Sequence, residues 1–400
     1  MSLFNKTGKS DEKFNKKTAE TSYKDKIRVY RTKNLYRALL VLIVIAIVAV
    51  IVRVQYINHV YSGYEVVSEV ERVKTMDAKD VRLGESILTY SKDGAHCTDS
   101  KGNVLWNQTY EIQDITKDVS GGVVGIGNVN GRELYVMSEK NVLTNISTTM
   151  PIKNVTVSES GKSTVVIYDT NVTYIDTYDE KGEKIFSGQT RMSNSGYPAA
   201  VALSPNGKLL CVAYIYVDAG AVKTTVAFYN FGAVGDNYSD YLVCGFDYTD
   251  VIVPQVGFLS NGSAYAIADN RIIFYSGDEQ PSLKSEILFD REIISVYEND
   301  GHIGIVFASD KDDSDYCMTV YNASADLEGK YYFSLDYTDI FFEKNGFVVY
   351  NDSSCFVRTY DDKTKYEGQF STSITVMLPT DKPYRYIIAD NKSIQVIQLK

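Results

Sequence analysis

The chain has 400 residues, 44% of them hydrophobic, and a formal net charge of −10. That length can bury a large core unaided, and an acidic balance argues against nucleic-acid binding, where Lys and Arg meet phosphate. Five scattered cysteines (Cys97, Cys211, Cys244, Cys317 and Cys355) without a CxxC spacing argue against a disulfide framework or a zinc site and read as free thiols buried in strands.

The charge is unevenly divided. Residues 1–37 hold eleven Lys or Arg against four Asp or Glu, a surplus of seven, so the rest carries −17. Residues 1–34 read as a basic, disordered, cytoplasmic tail. Next comes "ALLVLIVIAIVAVIV", from Ala38 to Val52. Extended to its flanks, Leu35 to Ile57, it reaches about 35 Å as a helix, enough for a hydrocarbon core of about 30 Å. Arg37 and Arg53 then snorkel to the two interfaces, with Tyr36 and Tyr56 in the aromatic belts. A cleaved signal peptide fits poorly, because the segment before the apolar run is 37 residues long and no small-x-small site follows it. The reading is an uncleaved signal anchor whose partner is the lipid bilayer. Basic residues crowd before the span and thin out after it, which predicts a cytoplasmic N-terminus and an extracytoplasmic remainder. Residues 58–63 form a linker, and residues 64–400 form one extracytoplasmic domain.

That domain repeats. A turn with Gly precedes an apolar β-type run at Gly84, Gly122, Gly161, Gly207, Gly262, Gly301 and Gly346, and "PTDKPYRYII" keeps the turn without Gly. Gly is expected there for the positive φ of a tight hairpin. A second signal, Asp-x-Lys-Gly with an aromatic end, occurs as "DSKGNVLW" from Asp99 and "DEKGEKIF" from Asp179. A third, "FDYTD", "FDRE" and "LDYTD" at Asp247, Asp290 and Asp336, reads as the linker between units. Units of about 40–45 residues with four short strands are propeller blades. The fold class is therefore all-β: an eight-bladed, alternatively seven-bladed, β-propeller after one transmembrane helix. The final run, "KSIQVIQLK", is only the third strand of its unit. Part of "YEVVSEVERVKTM" (Tyr64 to Met76) is expected to pair with Ser393–Leu399 and close the ring; the rival is a helical stalk, since Val66, Val70 and Val73 have helical spacing.

The hairpin units with "SPNGK" resemble WD-repeat-like propellers, and "DSKGNVLW" resembles the blade motif of quinoprotein-like, PQQ-type propellers. The combination of basic tail, single anchor and acidic propeller resembles an uncharacterised family, a domain of unknown function, of single-pass propellers from clostridial Firmicutes. That resemblance implies an envelope protein and carries no catalytic residue to transfer. A quinoprotein needs a calcium-bound cofactor, a stacking Trp and often adjacent cysteines, whereas Trp106 is the only Trp and no two cysteines adjoin.

Chemistry is sparse. His59, His96 and His302 form no cluster, and "SDKDDSDY" (309–316) reads as a solvated hairpin tip rather than a calcium loop. Neither a metal nor a cofactor is expected. Asp247, Asp250, Asp290, Asp336 and Asp339 are expected on one propeller face, a candidate binding face for a protein or envelope ligand. Long intervals at "VDAGAVKT", "FGAVGDNYSD" and residues 188–199 are expected to be recognition loops. The function read from the sequence is a non-enzymatic, membrane-tethered binding or scaffold module. Its alternatives are a glycan hydrolase using paired Asp carboxylates and a sensor signalling through the tail.

Overall fold

The computed structural model describes residues 8–72, 77–191, 196–299 and 301–400. Parts of three sequence readings lie outside these: residues 73–76 of the closing segment, residues 192–195 of the 188–199 loop, and Asp300 of one turn. The chain divides into two compact units, residues 1–59 and 60–400.

The first unit carries one helix, Gly8–Asn58. After Gly8 it contains neither Gly nor Pro, and Lys, Glu, Ala and Leu are good helix formers. The helix therefore continues through residues 8–34, where the sequence suggests disorder. Its stretch Asp25–Gln55, 31 residues that include Leu35, Ala38 and Val52, is long and apolar enough to cross a membrane. Ile57 lies in its last turn. Leu39, Leu42, Ile45 and Val48 are all exposed, so the apolar surface faces outward on every side.

The second unit is an eight-bladed β-propeller. Among the described residues, eight four-stranded antiparallel sheets follow in chain order: blade 1 (79–109), blade 2 (115–147), blade 3 (152–190), blade 4 (197–249), blade 5 (255–288), blade 6 (293–333), blade 7 (339–369), and blade 8, made of 376–399 and 64–71. Within each blade the strands run from inner to outer. Antiparallel alternation then sorts the connections. Turns between first and second strands and between third and fourth lie on one face, the turn face. Hairpins between second and third strands and the blade-to-blade crossovers lie on the other, the crossover face.

The eight Gly-type turns are the first turns of the eight blades. Positive φ explains Gly84, Gly161, Gly207 and Gly301 (64°, 92°, 64° and 76°). At Gly122 the neighbouring Gly121 takes that conformation (φ 55°). Gly346 has another reason: a Cβ there would stand 2.0 Å from the Arg358 carbonyl oxygen. The second signal is the third-to-fourth turn. Asp99 Oδ1 accepts from the N–H groups of Lys101 and Asn103 at 2.8 Å each. Asp179 Oδ1 likewise accepts from Lys181 and Glu183 at 3.0 and 2.8 Å. Blade 6 builds the same turn from different residues, with Asn322 Oδ1 accepting from Ser324 and Asp326 and Ala325 at φ 60° in the glycine's place. The aromatic end of the motif bridges blades. Trp106 Nε1–H donates to the Ser138 carbonyl of blade 2 at 2.8 Å, and Phe186 packs on Tyr229 and Phe231 of blade 4.

Strand Tyr64–Glu71 pairs antiparallel with Ser393–Leu399, from Tyr64↔Leu399 to Glu71↔Ser393. The ring thus closes as expected, and the segment is not a stalk over those residues. The joining strand even carries a bulge, between Val66 and Ser68, like those at the start of the outer strands of blades 1 and 3. Arg72, just beyond it, spans the seam. Its Nη2 donates to Asp80 Oδ2 of blade 1 at 2.7 Å, and its Nε to the Asp390 carbonyl of blade 8 at 2.7 Å. Thr89 and Thr375 hydroxyls donate to the two oxygens of the same carboxylate, at 2.7 and 2.5 Å, and the Asp80 side chain is 0% exposed.

Two expectations are corrected. "VDAGAVKT" is not a recognition loop: strands Leu209–Asp218 and Ala221–Asn230 pair as far as Asp218↔Ala221, leaving a two-residue turn with Ala219 and Gly220 at φ 51° and 84°. Two positive-φ residues are what a tight hairpin turn demands, so the surplus residues lengthen the strands. The two Asp-Tyr-Thr-Asp copies are also not equivalent. Asp247, Tyr248 and Thr249 belong to the outer strand Leu242–Thr249, whereas Asp336 follows an outer strand ending at Phe333 and Asp339 opens the next inner strand. The first copy was drawn into the ladder because the longer third strand of blade 4 offers partners up to Lys223↔Thr249.

Candidate functional site

The five singled-out carboxylates lie at or near the crossover face, since they fall at outer-strand ends, in crossovers or at an inner-strand start. Each makes its own described contacts. Asp247 Oδ1 accepts from Thr225 Oγ1 at 2.5 Å. Asp250 is exposed at φ 55°, with its N–H bonded to the Val222 carbonyl. Asp290 is 97% exposed and 3.8 Å from Arg291. Asp336 accepts from the Tyr316 hydroxyl at 2.9 Å. Asp339 accepts from the Ile340 N–H and the Tyr350 hydroxyl at 2.9 and 3.2 Å, and burial raises its pKa against those bonds. No two of these five carboxyls share a described hydrogen-bond partner.

The central channel holds a second charged set, which periodicity alone could not single out. Asp118 in the inner strand of blade 2 and Glu298 in that of blade 6 stand four blades apart in a ring of eight, on opposite sides of the channel. Burial raises the Asp118 pKa, although its carboxylate accepts from Thr156 Oγ1 and the Val157 N–H at 2.8 Å each. Glu298 is open to the channel, yet the protein atoms crowding it still push it up to about 7; the Tyr265 hydroxyl bonded to it acts the other way and Asp118 adds to the rise. Lys117, beside Asp118 and likewise exposed, is lowered by the protein atoms crowding it, with Asp118 and Asp339 opposing. A cavity of about 230 Å³ opens where the inner strands of blades 7, 8 and 1 meet, lined by Asp80, Thr338, Asp339, Tyr350 and Thr375 among others. Among the described residues no group of three or more His, Cys, Asp or Glu is placed to hold a metal ion. His96 and His302 lie in strands: burial lowers the His96 pKa, and His302 stacks on Tyr360 with centroids 4.9 Å apart. The 309–316 acids sit at a hairpin between two strands of blade 6.

The larger concavity lies between blades 3 and 4. It measures about 720 Å³, within the range of about 300–1,000 Å³ common for ligand sites. One wall is the stretch Ile185–Thr190 of blade 3's outer strand. The other is Tyr214, Tyr216, Thr225 and Tyr229 of the long blade-4 hairpin, with Asp240 and Tyr241 from the loop that follows. The Tyr214 and Tyr229 hydroxyls bond each other at 2.9 Å, and burial raises both pKa values. Both tyrosines are therefore neutral at physiological pH. Asp247 touches this groove through Thr225; the other four acids do not line it. Of the expected loops, "FGAVGDNYSD" supplies Ser239 and Asp240 to the wall, and residues 188–199 supply Gly188, Gln189 and Thr190. The sequence hinted at both walls separately through these two loops but could not join them, because the walls are separate blades.

Comparison with known proteins agrees with this architecture. The family of unknown function DUF5711 matches residues 57–399. No curated protein matches the chain. Among solved structures, BamB from Moraxella catarrhalis is 12% identical, with 84% of this chain and 100% of that chain covered at a TM-score of 0.50. Sqt1 from Saccharomyces cerevisiae is 10% identical, with 86% and 99% covered at 0.53. At such identities the likeness speaks for the fold alone.

Proposed function

We propose that this chain, which belongs to the family of unknown function DUF5711, is a membrane-tethered binding or scaffold module without catalytic activity. Residues 35–57 span the bilayer, residues 1–34 stay in the cytoplasm, residues 58–63 link, and the propeller works outside, on the envelope of a bacterium of the clostridial kind. The observation that carries the tether is the helix itself, apolar on all sides with none of that surface buried, which suits lipid and not water. Eleven basic residues before Ala38 set its direction.

The binding role is supported by a rigid ring whose crossover face carries Asp247, Asp250, Asp290, Asp336 and Asp339 on separate partners, a surface for docking rather than bond-breaking. Both chain ends of the propeller come in at the turn face, where Ser62 and Gly63 N–H groups bond the Lys400 carbonyl, so the crossover face is the end of the ring remote from them. Protease added to intact protoplasts should remove the C-terminal mass and spare an N-terminal tag; protection of the C-terminus overturns the topology. Crosslinkers placed at exposed Asp250 and Asp290 should capture an envelope partner, and equal capture from the turn face counts against the assigned face.

A further inference from the structure

We infer that the groove between blades 3 and 4 takes an extended peptide segment of another protein, added as a fifth strand to blade 3. The argument begins with the strand Lys184–Thr190, the last in its sheet. An outermost strand leaves alternate N–H and C=O groups unpaired on its outer side. Successive side chains of a strand point to opposite faces. Yet six consecutive residues, Ile185 to Thr190, line the cavity. A wall made of consecutive residues is the strand's edge, not one of its faces, so unpaired backbone borders the groove.

The edge is also unguarded. Natural edges are blunted by charge, proline or short length. The outer strands of blades 4 to 8 each carry at least one Asp, Glu or Lys, whereas those of blades 1 and 2, Val104–Thr109 and Val142–Ser147, carry none and border no groove of this kind among the described cavities. Ile185–Thr190 carries neither charge nor proline. The only charge in that strand is Lys184 at its start, and it is committed to Asp176 at 2.5 Å. The bulge at Ile185 precedes an uninterrupted ladder from Thr177↔Phe186 to Thr173↔Thr190, so the free edge is straight over five residues.

The facing wall sets the chemistry. Strands Leu209–Asp218 and Ala221–Asn230, ten residues each, are the longest described, and they present Tyr214, Tyr216 and Tyr229 across the groove. Among the described lining residues no Lys or Arg occurs, and Asp240 is the only carboxylate. An acidic segment is thus disfavoured. The occupant is a neutral or basic stretch of about six residues, about 20 Å long when extended, with aromatic or aliphatic side chains at alternate positions. Backbone bonds supply affinity, and the tyrosine wall supplies selection.

This inference rests on the binding-module reading, but its test is independent of membrane topology. A library of displayed twelve-residue peptides is panned on the full chain in detergent micelles. Enriched peptides should alternate apolar and polar residues. N-methylation at every second residue should weaken each by about tenfold, the loss of one backbone hydrogen bond, while methylation at intervening residues should not. Tyr216→Ala and Gln189→Glu, each checked for an unchanged thermal midpoint, should weaken binding by a similar factor. Failure to enrich any peptide overturns the inference. So does equal loss at every N-methylated position, unchanged binding to both variants, or binding of a neutral β-linked hexasaccharide that Tyr216→Ala abolishes. Capture of a partner by the crossover face without peptide binding here leaves the module reading standing and this one fallen.

Discussion

Blades 4 and 5 meet differently from blades 8 and 1. Between 4 and 5 a large buried cluster runs across the interface, with Phe228 and Val226 from one side and Ala266, Ile273 and Tyr275 from the other. At the seam the buried cluster is smaller: Ile87 from blade 1 joins Val376, Leu378, Ile387, Ala389 and Ile394 of blade 8. At the seam Arg72 clasps Asp80 of blade 1 and the Asp390 carbonyl of blade 8, and blade 8 is itself completed by the Tyr64–Leu399 ladder. Blades 4 and 5 add directional bonds to their apolar packing, the Tyr248 and Tyr275 hydroxyls on each other and Asn230 Nδ2 donating to Glu279. Where two distant segments must find each other, hydrogen bonds also set the register, because a slip of one residue turns every side chain to the wrong face.

The largest break in this comparison is removal of the joining strand. A chain beginning at residue 60 should unfold in one cooperative transition. One beginning at residue 78 should aggregate or unfold in stages, because strand Ser393–Leu399 becomes an open edge. Identical melts for the two chains would refute the closure argument.

Next in size is the clasp. Arg72→Met leaves the buried Asp80 carboxylate without its cation and should cost about 3–5 kcal/mol, while Arg72→Met combined with Asp80→Leu should regain much of that loss. Denaturant titration of the two variants measures both. A Ile273→Val change between blades 4 and 5 should cost about 0.5–1.5 kcal/mol. Ile87→Val should fall at the upper end of that range, as the thinner cluster has fewer neighbours to close the gap.

The smallest effect concerns pH and the channel. Glu298 is held up to about 7 from a usual 4.5, and Asp118 and Asp339 are raised as well. A carboxyl raised on folding favours the native state most below its unfolded pKa, and that contribution fades as pH rises through the folded value. The thermal midpoint should therefore fall between pH 5 and 8, modestly, since Glu298 is exposed and solvent screens an exposed charge. Glu298→Gln should flatten that slope, and an unchanged slope would remove Glu298 from the account.

What the sequence determined by itself was whatever is written locally. Gly207 and Gly161 announce turns because few other residues accept their φ. Asp99 and Asp179 announce a second turn because their carboxylates bond the backbone two and four residues on. Eight such units give eight blades, and an unfinished last unit calls for the strand at Tyr64. The same logic missed the copy at Asn322, where Ala325 takes the glycine's conformation, and it equated two Asp-Tyr-Thr-Asp stretches that occupy different places. Only the tertiary structure decided the rest. Arg72 and Thr375 are 303 residues apart and meet on one carboxylate. Asp118 faces Glu298 across a channel, and the groove joins an edge of blade 3 to the tyrosines of blade 4. Each depends on the distance between residues of different blades, which closure of the ring sets and no local turn or period encodes.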